Sequence, residues 1–153
     1  MMNRIYPILL GLILAITVGC TQVKEPEFKG IKEFGVKNID FEKATIGFSV
    51  TYYNPNNFNV NVKEAVADVY IDSIYMGSFT QEVVVNVQKN KEFSIPFLGE
   101  VPLKKVLQLN LQELKNKNIL LQANGSVKVG KAGIYITKPI EYSGRHKLDE
   151  VRP

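Results

Sequence analysis

The sequence holds one cysteine, one histidine and no tryptophan, and the first two scarcities each close off a class of chemistry. A single thiol cannot form a disulfide within the chain, so stability must come from packing. One imidazole and one thiol are too few for a soft or nitrogen-rich metal cluster, and no cofactor is expected. Charge of one sign is also sparse: 19 Lys and Arg stand against 15 Asp and Glu, a formal net charge of +4. The lysines are scattered, without the one-sided stripe of bases and interleaved aromatics that a nucleic-acid binder gathers, so nucleic acid is not expected as a partner. With 45% hydrophobic and 22% charged residues in 153, the composition is that of an ordinary globular chain with a single core.

At the N-terminus Arg4 precedes an almost wholly apolar stretch, Ile5 to Val18, which ends at Gly19-Cys20. A charged start, a short apolar run and a small residue make the pattern of a signal peptide, whereas a spanning helix needs about 20 apolar residues. Loss of Arg4 with that segment leaves 18 basic against 15 acidic residues, or +3. Thr17-Val18-Gly19-Cys20 resembles the bacterial lipobox, in which cleavage precedes a cysteine that has received a diacylglyceryl group; Thr17 stands where leucine is usual. The resemblance implies that residues 1–19 are a lipoprotein signal peptide and that Cys20 is lipidated, making the membrane a partner through an N-terminal anchor. Thr21 is not the aspartate that resembles an inner-membrane retention signal in enteric bacteria, so the expected location is the cell envelope, the outer membrane ahead of the inner. Residues 20–28 lack periodicity and include Pro26, which predicts a tether without a fold of its own.

Two alternating runs from Ala44 to Asp72 dominate the remainder. Ala44, Ile46, Phe48, Val50 and Tyr52 share one face of the first run, expected to be core, with Thr45, Gly47, Ser49, Thr51 and Tyr53 on a wet face. Ala65, Ala67, Val69 and Ile71 repeat the pattern in the second. Pro55 fixes its own φ and pushes Asn54 toward extended geometry, so the chain turns at Asn54-Pro55-Asn56 and the two runs are expected to form a hairpin.

Around this pair, the slipping phase from Ile31 to Phe41 predicts a bulged strand or two short ones. Gly77 offers a turn within residues 73–78, and Gln88 to Lys91 offers another. Pro96 places its strand at a sheet edge or at a strand end. Leu103, Val106, Leu107, Asn110, Leu111 and Leu114 follow helical spacing behind Pro102 with one polar interruption, which predicts one α-helix near residues 102–116 with its leucine face packed inward. Strands resume from Ile119, with a turn at Gly130 to Gly133, and residues 144–153 read as a charged, frayed tail. About seven strands and one helix make the fold class mainly β, an antiparallel β-sandwich, over a domain at 29–143.

Val50-Thr51-Tyr52-Tyr53-Asn54-Pro55-Asn56, followed by Val69-Tyr70-Ile71-Asp72 and Gly77, resembles the type 2 late embryogenesis abundant (LEA) proteins, also called the water-stress and hypersensitive-response (WHy) domain. The likeness extends over roughly Phe28 to Tyr142, the reach of the alternation. It implies a sandwich akin to a fibronectin type III or immunoglobulin-like module, with Asn54, Pro55 and Asn56 as the family motif and with protection in desiccation or osmotic stress as the function. One departure is Phe58, close to where a proline often follows Asn-Pro-Asn.

Catalytic candidates are few. His146 falls in the tail, where a base would be poorly positioned for a triad. Asp68 and Asp72 read as solvating groups along a wet face rather than the differently buried pair a glycosidase needs. Gly125 and the glycines at 130 and 133 do not lead a phosphate loop into a helix. The expected protein is therefore a non-catalytic envelope component with possible protein clients. The alternative from architecture alone is a lipid-tethered module that takes a peptide, protein or glycan partner at a sheet edge or on the Asn54 to Asn61 loop.

Overall fold

The computed structural model describes residues 22–109 and 117–147. Within them the strands are β1 (Glu27–Ile39), β2 (Lys43–Tyr53), β3 (Val60–Ile71), β4 (Ile74–Gln81), β5 (Val85–Val87), β6 (Glu92–Pro102), β7 (Asn118–Lys131) and β8 (Ile134–Lys147), with one short helix, α1 (Leu103–Gln108). All strand pairs are antiparallel, in the order β1-β2-β6-β4-β3-β7-β8, and β5 pairs with β3 beside β4. The sheet curls into a sandwich-like, barrel-like fold, so the mainly β class read from the sequence is the class observed.

The curl follows from where the apolar residues lie. Val62, Ala65, Val69, Phe79, Phe97 and Val101, from β3, β4 and β6, form one buried cluster, which no flat sheet could close over. Phe48 of β2 leans on that cluster, stacked on Phe97 at 5.5 Å between ring centroids and tilted against Phe79 at 5.2 Å. Such ring pairs contribute about 0.5–1.5 kcal/mol beyond the area they bury. The two ends of the strand order also meet: Phe28 of β1 lies 5.5 Å from the ring of Tyr142 on β8 and 6.5 Å from that of His146.

Several expectations need correction. The runs on either side of Asn54-Pro55-Asn56 are not a hairpin: β2 pairs with β1 and β6, β3 pairs with β4, β5 and β7, and the loop carries the chain between non-neighbouring strands. The predicted wet face of β2 is not wet at its middle, since Ser49 is 5% and Thr51 2% exposed. With a strand on each side, short side chains there are shaded by longer ones leaning over them. The Ser49 hydroxyl donates to Glu33 Oε2 at 2.6 Å, Thr51 Oγ1 hydrogen-bonds Ser94 Oγ at 2.9 Å, and the Lys37 stem lies over Gly47.

The turn between β3 and β4 falls at Asp72-Ser73, both at positive φ as a two-residue hairpin loop requires, while Gly77 lies inside β4. A Cβ at Gly77 would stand 2.6 Å from the Glu100 carbonyl, so the glycine serves close packing. Pro96 sits within β6, an interior strand, opposite Ser49. The missing donor is tolerated because β4 pairs with β6 only from Phe97 to Gly99.

Pro102 ends β6 and caps α1 from outside, and α1 stops at Gln108; residues 110–116 of the predicted helix lie outside the described residues. Leu107 is exposed, and the inward leucine is Leu109, just past the helix end. Residues 144–147, expected in the tail, continue β8 against β7, and β1 begins at Glu27, inside the expected tether. The slipping phase before β2 is one strand with three register shifts, as a bulged strand would give.

Candidate functional site

The Asn54-Pro55-Asn56 loop is a knot of side-chain to backbone hydrogen bonds. The side-chain oxygen of Asn54 accepts from the Asn56 backbone N–H at 3.1 Å, the local bond that lets asparagine make its own turn, and from Asn56 Nδ2 at 3.0 Å. Asn54 Nδ2 donates to the carbonyls of Phe58 and Gln88, each at 3.1 Å, and its backbone N–H donates to Lys91. The Gln88 to Lys91 turn is thereby tied to the loop, with the Asn90 N–H on the Asn56 carbonyl and the Lys89 N–H on Asn59 Oδ1. Asn54 is 3% exposed. A buried amide at that depth is stabilising only when its donors and acceptor are matched, and here they are.

Asn56 reaches the other way. Its Nδ2 donates to the Lys24 carbonyl at 2.8 Å and its Oδ1 accepts the Lys24 N–H at 2.9 Å. The side-chain amide thus pairs with one residue's backbone as a neighbouring strand would, and fixes the N-terminal segment to the loop. The residue types were legible as turn formers, but a partner 32 positions upstream was not.

The other candidates do not converge. Asp72 Oδ1 accepts the Leu120 N–H while the Asp72 N–H donates to the Leu120 carbonyl, which anchors the turn between β3 and β4 to β7. Asp68 accepts from the Tyr75 hydroxyl at 3.3 Å. His146 stands in β8 rather than in a loose tail, stacked on Tyr142 with its Nε2 hydrogen-bonded to the Tyr142 hydroxyl. Neither carboxylate is bonded to the imidazole, so the arrangement makes no triad. Among the described residues there is no group of three or more His, Cys, Asp or Glu that could bind a metal ion. Cys20 lies outside the described residues.

The aromatic seam between β1, β2 and β8 sets an alkaline limit. Burial raises the Tyr52 phenol above its ordinary value, with a smaller contribution from Tyr142, and burial raises Tyr142 as well. An acid whose folded pKa is raised ionises more readily in the unfolded chain. Stability is therefore intact below the ordinary tyrosine value of about 10 and is lost as pH rises through the folded value. Tyr52→Phe should flatten the decline of the urea midpoint above that value; an unchanged alkaline slope would show that Tyr52 carries none of it.

Comparison with known proteins bears on the fold alone. No protein-family model matches the sequence, and no curated protein matches it. Among solved structures, a protein from Archaeoglobus fulgidus aligns over 80% of this chain and 98% of its own, with a TM-score of 0.51 and 6% identity. The solution structure of AT1g01470 from Arabidopsis thaliana aligns over 81% of each chain, with a TM-score of 0.57 and 14% identity. A segment of beta-glucosidase 3B from Thermotoga neapolitana, 17% of that chain, aligns with a TM-score of 0.30, too low to carry an argument. At these identities the chain is similar to the Archaeoglobus and Arabidopsis proteins in architecture, an antiparallel β fold covering the described domain.

Proposed function

We propose that this chain is a lipid-anchored, non-catalytic protein of the bacterial cell envelope, with a type 2 LEA or WHy-like domain that protects labile proteins during desiccation or osmotic stress. The observation that carries the reading is the Asn54-Pro55-Asn56 loop. The residues that bear the family resemblance are matched to one another, to the Gln88 to Lys91 turn and to Lys24, so the motif works as a structural clamp in which the side-chain N–H donors of Asn54 and Asn56 are all engaged. Asp68, Asp72 and His146 are likewise engaged in turns and ring contacts. Protection is then a property of a folded surface toward unrelated proteins.

The rival reading, a peptide-binding module working at a sheet edge, is opposed by both edges. β1 is interrupted by three register shifts and by positive φ at Gly30 and Glu33. On β8 the two-residue turn at Ala132-Gly133 sets the ladder's phase, so odd-numbered residues present their N–H groups to the free edge, and Pro139 removes one of them mid-strand. Bulges and an edge proline are devices that discourage strand addition.

The fragment from Thr21 onward should preserve a labile enzyme through drying, and the triple variant Asp68→Asn, Asp72→Asn, His146→Gln should protect as well, once its folding is confirmed by circular dichroism. Protection no better than that of an equal mass of an unrelated folded protein would refute the function. In the same cells, Cys20→Ser should release the protein from membranes or stall its precursor; unchanged mature mass and attachment would refute the anchor.

A further inference from the structure

We infer that the end of the sandwich bearing the Asn54 to Asn59 loop lies against the bilayer, with Val83, Val84, Ile134 and Ile136 seated in the headgroup layer. The inference rests on the lipid anchor at Cys20 proposed above and adds an orientation and a contact surface to it. Lys24 is gripped at both backbone groups by Asn56, which leaves only four residue steps back to Cys20. At no more than about 3.6 Å per residue those steps span at most about 14 Å. The polar layer of one leaflet is about 5–8 Å deep, half the difference between a membrane with and without its headgroups. The gripped Lys24 therefore stands no more than about 6–9 Å above the headgroups, which holds this end of the domain beside the lipid surface.

The apolar residues named lie at this same end by register. Val60 pairs with Val87 immediately after the loop, Val62 pairs with both Val85 and Val129, and Val129 pairs with Ile136. At about 4.8 Å between neighbouring strands, Ile136 is about 10 Å from Val62. Ile134 flanks the turn between β7 and β8, level with the start of β3. Val83 is joined to Val62 because the Gln81 side-chain amide donates to both of their carbonyls. Val83, Val84, Ile134 and Ile136 are all more than half exposed, and so is Val23, one step before the gripped Lys24. The lysines at this end, Lys89 and Lys91 of the loop-bound turn among them, are interspersed with Glu64, Glu82 and Glu92, so attachment works by apolar insertion rather than by net charge. The exposed Ile39 and Phe41 stand at the far end of β1, whose first residue, Glu27, pairs beside the loop with Tyr53, and so face away from the lipid.

The test uses the full-length processed protein in vesicles of neutral phospholipid. Acylation blocks the thiol of Cys20, so Val84→Cys, Ile136→Cys or Phe41→Cys each supplies a single free thiol for an environment-sensitive fluorophore. Brominated lipid should quench the labels at 84 and 136 at least about twofold and leave the label at 41 unchanged, as insertion of only the near end requires. Adding Asn56→Ala should abolish that contrast by freeing Lys24; a contrast that survives would overturn the role given to the grip. Equal quenching at all three positions, or none at 84 and 136, with Cys20 acylated by mass spectrometry, would overturn the orientation and leave the anchor standing. An unmodified Cys20 would overturn both.

Discussion

Asn54→Ala is expected to lower folding stability by about 3 kcal/mol. The change strips partners from the Asn56 N–H, which is buried, and from the Phe58 and Gln88 carbonyls, whose bonds are partly buried. A buried polar group left without a partner costs about 1–3 kcal/mol, and the space vacated by the side chain lets some water in, so the sum falls well short of three full penalties. Asn54→Asp tests the same geometry by charge. It keeps the shape but turns a carboxylate oxygen toward two carbonyl oxygens, which raises its folded pKa above the ordinary aspartate value. Its penalty should therefore grow as pH rises through the carboxylate range and shrink on protonation. Asn57, the exposed neighbour, serves as control: Asn57→Ala should stay within about 0.5 kcal/mol of the parent. Urea midpoints for the three variants at acid and neutral pH decide the matter, and an Asn54→Ala midpoint equal to that of Asn57→Ala would show that the loop is not a clamp.

This result would also mark where sequence reading stops. The alternation of Ala44 to Tyr52 and of Ala65 to Ile71 showed strands, because a period of two is imprinted residue by residue wherever one face packs on a core. The turn at Asn54-Pro55-Asn56 was equally legible, because proline and asparagine dictate local dihedrals. Neither signal says beside which strand the chain returns. β2 pairs with β6, Ala44 opposite Val101, across more than fifty residues, and that choice is made by how Phe48, Phe79 and Phe97 fill one another's space. Short polar residues misled for a related reason. Ser49 and Thr51 are hydrophilic and lie on the outer face, but a residue flanked by two strands is shaded by its neighbours, and a hydroxyl needs only one partner to be comfortable there. The loop's grip on Lys24 was beyond reach, since any backbone offers the same N–H and C=O to an asparagine amide.

The partnership of β3 with β7 depends on a residue whose importance nothing in the local pattern signals. Gly125 lies opposite Ala67, and a Cβ built on it would stand 1.9 Å from the Val66 carbonyl oxygen and 2.7 Å from the Ala67 Cα. Both are backbone atoms of a strand also paired on its far side with β4 and β5, so neither can rotate aside as a side chain would. Gly125→Ala must push β7, and β8 with it, off the ladder near its middle. The expected loss is about 3 kcal/mol or more, the upper part of the range for overpacking, since the strain falls on backbone rather than on a rotamer. Gly35→Ala supplies the contrast within one fold. Gly35 sits on β1 with nothing within 4 Å of an added Cβ, and its φ is not in the left-handed region, so the change should fall within about 0.5 kcal/mol of neutral. Hydrogen exchange separates a local from a global effect. Gly125→Ala should first deprotect the amides of β7 and β8 and leave those shared by β2 and β6 slow, because the hydrogen-bonded ladder of β8 is made with β7, while its contact with β1 is between rings. If the two glycine variants unfold at the same urea concentration, the close approach of β3 and β7 at Gly125 is wrong, and with it the reason a strand otherwise rich in side chains carries a glycine at its centre.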